Sequence, residues 1–237
     1  MRLLPLILAA PLLLGGAAPG AGGGAAQLGI APLTIRMGDR QSAMVRLTNH
    51  GTSAIALQLR PFAWSQPDGS DRLSPGTNLL LVSPAIARIA PGKDQVFRLF
   101  HRGEGTPSEL AYRLLIDELP DPQGDGGRPA GPRLRMQFSL PVFAGPPGDH
   151  TPRLAATAQG GEVRIINSGS GHIRICEPLL RLANGRVIAL GMRGPVYLLA
   201  GGQRSGQSGL DCIAPGTILQ SADGQLGEGI AVTPSCP

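Results

Sequence analysis

Residues 131–146 read GPRLRMQFSLPVFAGP, and Leu134, Met136, Phe138, Leu140 and Val142 fall on every second position. Arg135, Gln137 and Ser139 occupy the gaps between them. A period of two sends one set to one face of an extended strand and the other set to the opposite face. Just upstream, PDPQGDGGRPAGP is too rich in Gly and Pro to join a sheet. A long strand with an even apolar face is thus mounted behind a loop. That face serves either to close the chain's own core or to be offered to another protein.

The same period runs outward in both directions. LTIRM, SAMVRLTN, AIALQLRPFAW, NLLLVSP, ARIAP, DQVFRLFH and LAYRLLIDELP read as strands, separated by turn chemistry such as NHGTS, QPDGSD and APGKD. This spacing predicts a β-sandwich of immunoglobulin type without the disulfide and packing Trp of antibody domains. GPPGDHTP, residues 145–152, interrupts the pattern as a linker. A second series follows in PRLAATAQ, GEVRIINS, HIRICEPLLRLA, RVIALG, PVYLLAGG, TILQSA and GIAVTP. VRLTNHG at 45–51 is echoed by VRIINSG at 163–169, which points to two related units whose Asn and Gly serve a hairpin turn. The expected fold is all-β, two tandem immunoglobulin-like sandwiches over 27–145 and 149–237.

The chain opens with Arg2, an apolar stretch LLPLILAAPLLL and small residues down to Ala26. That order is a secretory signal peptide over residues 1–26, too short to span a membrane, and it predicts an exported protein with no stable membrane insertion. Gly 35 and Pro 23 border on disordered composition, but 42% hydrophobic residues in short runs suffice for cores. The net charge is +5, yet Lys93 is the sole lysine, the arginines are scattered and aromatics make up 3%. Phosphate tracking needs a basic stripe, so nucleic acid is excluded as a partner. Of three cysteines, Cys212 and Cys236 flank the last strands and are expected to pair, leaving Cys176 as a buried thiol.

Catalytic patterns are missing. His50, His101, His150 and His172 lack metal-ligand spacing and read as solvated turn residues. RSGQSGL does not complete a nucleophile elbow, and Asp117 and Glu118 face opposite ways on a strand. The expectation is a non-enzyme with no cofactor and no metal.

IAPLTIRM, VRLTNHGTSAIALQLRPFAW, LLVSPAIARIAPGKDQVFRL, SELAYRLLIDELP, LRMQFSLPVF and GPVYLLAGGQR, in this order and spacing, resemble the periplasmic pilus-assembly chaperones of the chaperone–usher pathway. The resemblance runs from about Ile30 to Thr233 and leans to the archaic branch. It implies two sandwiches set as a boomerang, a periplasmic location, and partners in pilus or fimbrial subunits and an outer-membrane usher. It also implies that the last strand of the first domain is lent to the subunit, with Leu134, Met136, Phe138 and Leu140 filling its open groove. The family's basic anchors for the subunit's terminal carboxylate fall on Thr34 and Pro141, so Arg113, Arg36 and Arg98 become the candidates, Arg113 first. Glu109 falls at a position that joins an interdomain ion pair in relatives, whose arginine aligns near Gly145. The competing reading is a secreted two-domain adhesion or interaction module.

Overall fold

A computed structural model describes residues 28–38, 40–103, 107–120, 135–145, 151–192 and 194–236. The expected leader over 1–26, Leu134 and most of the Gly/Pro-rich loop lie outside these residues. The first half begins with β1 (Leu28–Ala31), β2 (Ile35–Gly38), β3 (Ser42–Asn49), β4 (Ile55–Ser65) and β5 (Arg72–Ser74). It continues with β6 (Leu80–Ser83), β7 (Ile86–Ile89), β8 (Asp94–His101), β9 (Leu110–Glu118) and β10 (Gln137–Ala144). These form two sheets in the orders β1-β3-β8-β6 and β2-β10-β9-β4-β5, with β7 also on β4. Alternation does what the pattern predicts: Val45, Leu47, Phe97, Leu99, Leu114 and Ile116 turn inward and are fully buried between the sheets.

IAPLTIRM is not a single strand. β1 pairs antiparallel with β3, whereas β2 pairs parallel with β10, so the chain crosses between sheets at Pro32–Thr34. Pro32 has no N–H to give, and a continuous ladder cannot run through it.

The second half holds β11 (Leu154–Gln159), β12 (Glu162–Asn167), β13 (Ile173–Cys176), β14 (Pro178–Arg181) and β15 (Val187–Ala189). β16 (Pro195–Leu198), β17 (Gln203–Gln207), β18 (Ile218–Ser221) and β19 (Ile230–Thr233) complete it. Its larger sheet has the order β15-β14-β18-β19-β11-β12-β17, and β13 pairs with β16 alone. HIRICEPLLRLA is broken where Glu177 takes φ 45°, a left-handed conformation that ends one strand and redirects the next into the other sheet. A second core, with Val163, Ile165, Ile175, Leu180, Leu198 and Leu219, fills this half. Cys212 and Cys236 are joined by a disulfide with a Cα–Cα distance of 5.3 Å, and Cys176 is free and half-buried.

The sequence echo has a structural counterpart with a different cause. Asn49 and Asn167 end β3 and β12, and both are buried. Asn49 Oδ1 accepts from Gly51 N–H, and its Nδ2 donates to the carbonyls of Ser53 and Ile89. Asn167 Oδ1 accepts from Gly169 and Arg153 N–H, while its Nδ2 donates to Gly171 and Leu199 carbonyls. Neither Asn has positive φ, and each turn passes the chain onward rather than closing a hairpin. The residue is required for its amide, which knits three segments together at the same place in both halves.

Candidate functional site

β10 pairs with β9 along its whole length, from Gln137 opposite Asp117 to Ala144 opposite Leu110. On its other side β2 begins only at Val142. Residues 137–141 therefore have a strand on one flank and, among the described residues, none on the other. Glu118 N–H donates to the Met136 carbonyl at 3.2 Å, so the even-numbered residues turn their amides toward β9. Gly145 N–H donates to Gly38 O in the opposite direction. By alternation Gln137, Ser139 and Pro141 present their backbone groups to the open flank, and Pro141 offers only its carbonyl.

Burial changes steadily along the even face. Met136 is half-buried, Phe138 is half-buried and leans on the first core, and Leu140 and Val142 are inside that core at 3% and 0% exposure. The expectation that Leu140 fills a partner's groove is therefore corrected, because its side chain is already used to close the domain's own sandwich. Leu134 lies outside the described residues.

The three arginine candidates separate. Arg113 on β9 stands directly opposite Pro141 on β10, on the outer face of the sheet. Its guanidinium sits 3.8 Å over the Trp64 ring and 5.4 Å from that of Tyr197, a residue of the second half. Burial lowers its pKa, with the Asp71 carboxylate opposing that trend. Arg36 and Arg98 are exposed and line a different cavity together with Arg40.

Around Arg113 the two halves meet. Trp64, Phe143 and Leu199 form a third small core, with Tyr197 packed on it. Gln66, 8% exposed, donates to Tyr197 O at 2.8 Å and accepts from Leu199 N–H at 3.0 Å. Asp71 accepts from Trp64 Nε1 at 2.6 Å and pairs with Arg204, which also donates to Gly69 O. Burial raises the Asp71 carboxyl, but donation from Trp64, Gln66 and Arg204 outweighs it and holds the group below its ordinary value.

His172 is not a solvated turn residue. Its ring stacks on Phe143 at 3.4 Å, and its Nδ1–H donates to Glu109 Oε2 at 2.5 Å, with a side-chain exposure of 7%. The His172 N–H reaches the same oxygen at 2.9 Å, and Glu109 N–H donates to Ser170 O. Glu109 thus crosses between the halves to a histidine where the resemblance implied an arginine. His101 is likewise engaged, 3.0 Å from the Tyr112 hydroxyl. No cluster of metal-ligating side chains occurs among the described residues.

The family model described as pili and flagellar-assembly chaperone, PapD N-terminal domain, matches residues 31–149, half of the sequence. The chain belongs to this chaperone family. No curated protein sequence matches it. Among solved structures, the chaperone is similar to the CsuC–CsuE chaperone–tip adhesion subunit pre-assembly complex from archaic chaperone–usher Csu pili of Acinetobacter baumannii. That likeness has 22% identity and a TM-score of 0.68 over 88% of this chain and 99% of the other. It is also similar to the class 5 fimbriae chaperone CfaA, at 13% identity and a TM-score of 0.60 over 89% and 100% of the two chains. The SafB chaperone complex with SafA pilin of Salmonella enterica gives 16% identity and a TM-score of 0.58 over 78% and 85%. At these identities the likeness carries the two-sandwich fold, and the family match carries the chaperone assignment.

Several residues at the junction of the halves escaped the sequence reading. Gln66, Asp71 and Arg204 belong to no periodic pattern, and His172, at the head of HIRICEPLLRLA, gives no local sign of its partner Glu109. GPVYLLAGGQR was nevertheless noticed, and it contains Tyr197, Leu199, Gly202 and Arg204, all of which face the first half.

Proposed function

We propose that this protein is a non-enzymatic periplasmic chaperone that holds pilus or fimbrial subunits on β10 and passes them to an outer-membrane usher. The observation that carries this reading is the open flank of residues 137–141, backed by the half-buried apolar face of Met136 and Phe138. An incomplete partner sandwich gains main-chain hydrogen bonds from that flank and apolar plugs from that face. By sequence phase alone, Leu134 is assigned to the same set as Met136 and Phe138. Arg113, on β9 opposite the residue where the open flank ends, is the arginine we assign to the terminal carboxylate, which a guanidinium binds in a bidentate contact. The leader over 1–26 accounts for export, and the likeness to a chaperone of archaic pili supports that branch.

The full chain, expressed with its leader and purified from periplasm, tests this directly. Mass spectrometry should find a small pilus subunit in equimolar complex, and the complex should associate with usher-containing outer membranes. Recovery of the protein alone, or bound to a surface glycan or host receptor, would replace the chaperone reading with that of a secreted adhesion module.

A further inference from the structure

A cavity of about 590 Å³ opens beside the β1–β2 crossing. Thr34, Arg36, Arg40 and Arg98 line it together with Met44 and Phe100, and among the described residues no carboxylate does. Elsewhere some arginines are paired, Arg46 with Asp94, Arg60 with Asp117 and Arg204 with Asp71, and others, such as Arg72 and Arg164, stand exposed with no ion-pair partner among the described residues. Arg36, Arg40 and Arg98 have no ion-pair partner among the described residues. Asp39, their neighbour in sequence, lies outside those residues. Three guanidinium groups lining one cavity add to a positive field at its mouth, which attracts an anionic partner.

The apolar part of the lining is equally unpartnered. Met44 is 59% exposed and Phe100 41%, and the β3–β8 register sets Met44 beside Arg98 and Phe100 beside Ser42 on one face. Guanidinium groups flanking exposed Met and Phe complement a segment that carries both carboxylates and an apolar side chain. The cavity is also continuous with the open flank of β10. A strand laid on 137–141 runs into the start of β2, and Thr34 and Ile35 at that point line the cavity.

We propose that this cavity receives an acidic, apolar segment of the subunit held on β10, a contact separate from the terminal-carboxylate site at Arg113. The carboxylates pair with Arg36, Arg40 and Arg98, and the apolar side chain packs on Met44 and Phe100. This inference rests on the subunit-binding reading above, and its test is arranged to separate the two.

The probe is a fluorescent synthetic peptide alternating Glu and Leu, titrated into the mature protein and followed by anisotropy. Binding should weaken as salt rises, and it should fall about tenfold or more in the Arg40→Glu/Arg98→Glu double variant. A peptide alternating Gln and Leu should bind as weakly as that double variant does. Arg40→Gln/Arg98→Gln provides the same comparison should the charge reversal impair folding, and Arg164→Glu, exposed on β12 of the second half, should leave peptide affinity unchanged. Equal binding by wild type and both double variants would overturn the proposal, as would equal binding of the Gln and Glu peptides. If wild type co-purifies no subunit, the subunit reading fails on that result alone, while the peptide assay still decides the cavity.

Discussion

Alanine substitution along the even face of β10 should separate stability from binding in a graded way. Leu140 is 3% exposed within the first core, so Leu140→Ala removes buried methyl groups and leaves a cavity, at a cost of roughly 2–5 kcal/mol. At roughly 4 °C per kcal/mol for a domain of this size, the melting temperature should drop by about 8–20 °C. Met136 is half-buried, and its truncation should cost under about 1 kcal/mol in the free protein. In the complex, burying the remaining half of a side chain whose full burial contributes about 1.5–3 kcal/mol adds roughly 0.8–1.5 kcal/mol, so Met136→Ala should weaken subunit binding by about four- to twelvefold. Phe138, which leans on the core while remaining half-buried, should show both effects at intermediate size. Calorimetry on the free chaperone and titration of a co-purified subunit would supply the two axes. Parallel losses at all three positions, with Met136→Ala melting as early as Leu140→Ala, would show that the strand serves only its own sandwich and would refute the reasoning.

Arg113→Ala should release the subunit and also lower the melt by a few degrees, because stacking over Trp64 contributes about 0.5–2 kcal/mol; normal subunit binding by the variant would move the anchor elsewhere. Asp71→Asn should destabilise the protein modestly at pH 7, by under about 1 kcal/mol given the exposure of the pair. Because the Asp71 carboxyl is held below 3.8, its contribution is present above that value and lost as pH falls through the lower folded value, so variant and wild-type melts should converge below about pH 4. Gly202→Ala would put a Cβ 2.4 Å from Gln66 Oε1, displacing the side chain that bridges to Tyr197 and Leu199. Small-angle scattering should then report a wider spread of arrangements of the two halves, and an unchanged profile would show that Gln66 does not fix them.

What was legible in the sequence was what period two can encode. Val45, Leu47, Phe97 and Leu99 declared their face by alternation, and the even face of β10 declared itself in the same way. Alternation says which residues share a face without saying how far along a strand that face is already covered, and so Leu140 was assigned to a partner. The Asn-x-Gly echo was visible, but its reason was not, since an amide that bonds to carbonyls as far away as Ile89 or Leu199 leaves no local trace. Gln66 and Leu199 are 133 residues apart, and no pattern within a single strand links them. Arg40 was passed over because it sits in a turn, and only the fold brings it beside Arg36 and Arg98.

Pro141 carries a consequence for the range of partners. It is buried at the end of the open flank and has no N–H to donate there, whereas Gln137 and Ser139 on the same flank do. Slipping an added strand by one residue would turn all its side chains to the wrong face, and slipping it by two toward β2 would set it against a position with one hydrogen bond fewer. The proline therefore acts as a stop on a ruler. Different strands laid on this edge come to rest at one alignment, set by the backbone of β10 rather than by their own side chains. Under the proposed function, a single chaperone of this build seats a series of unlike sequences at the same depth.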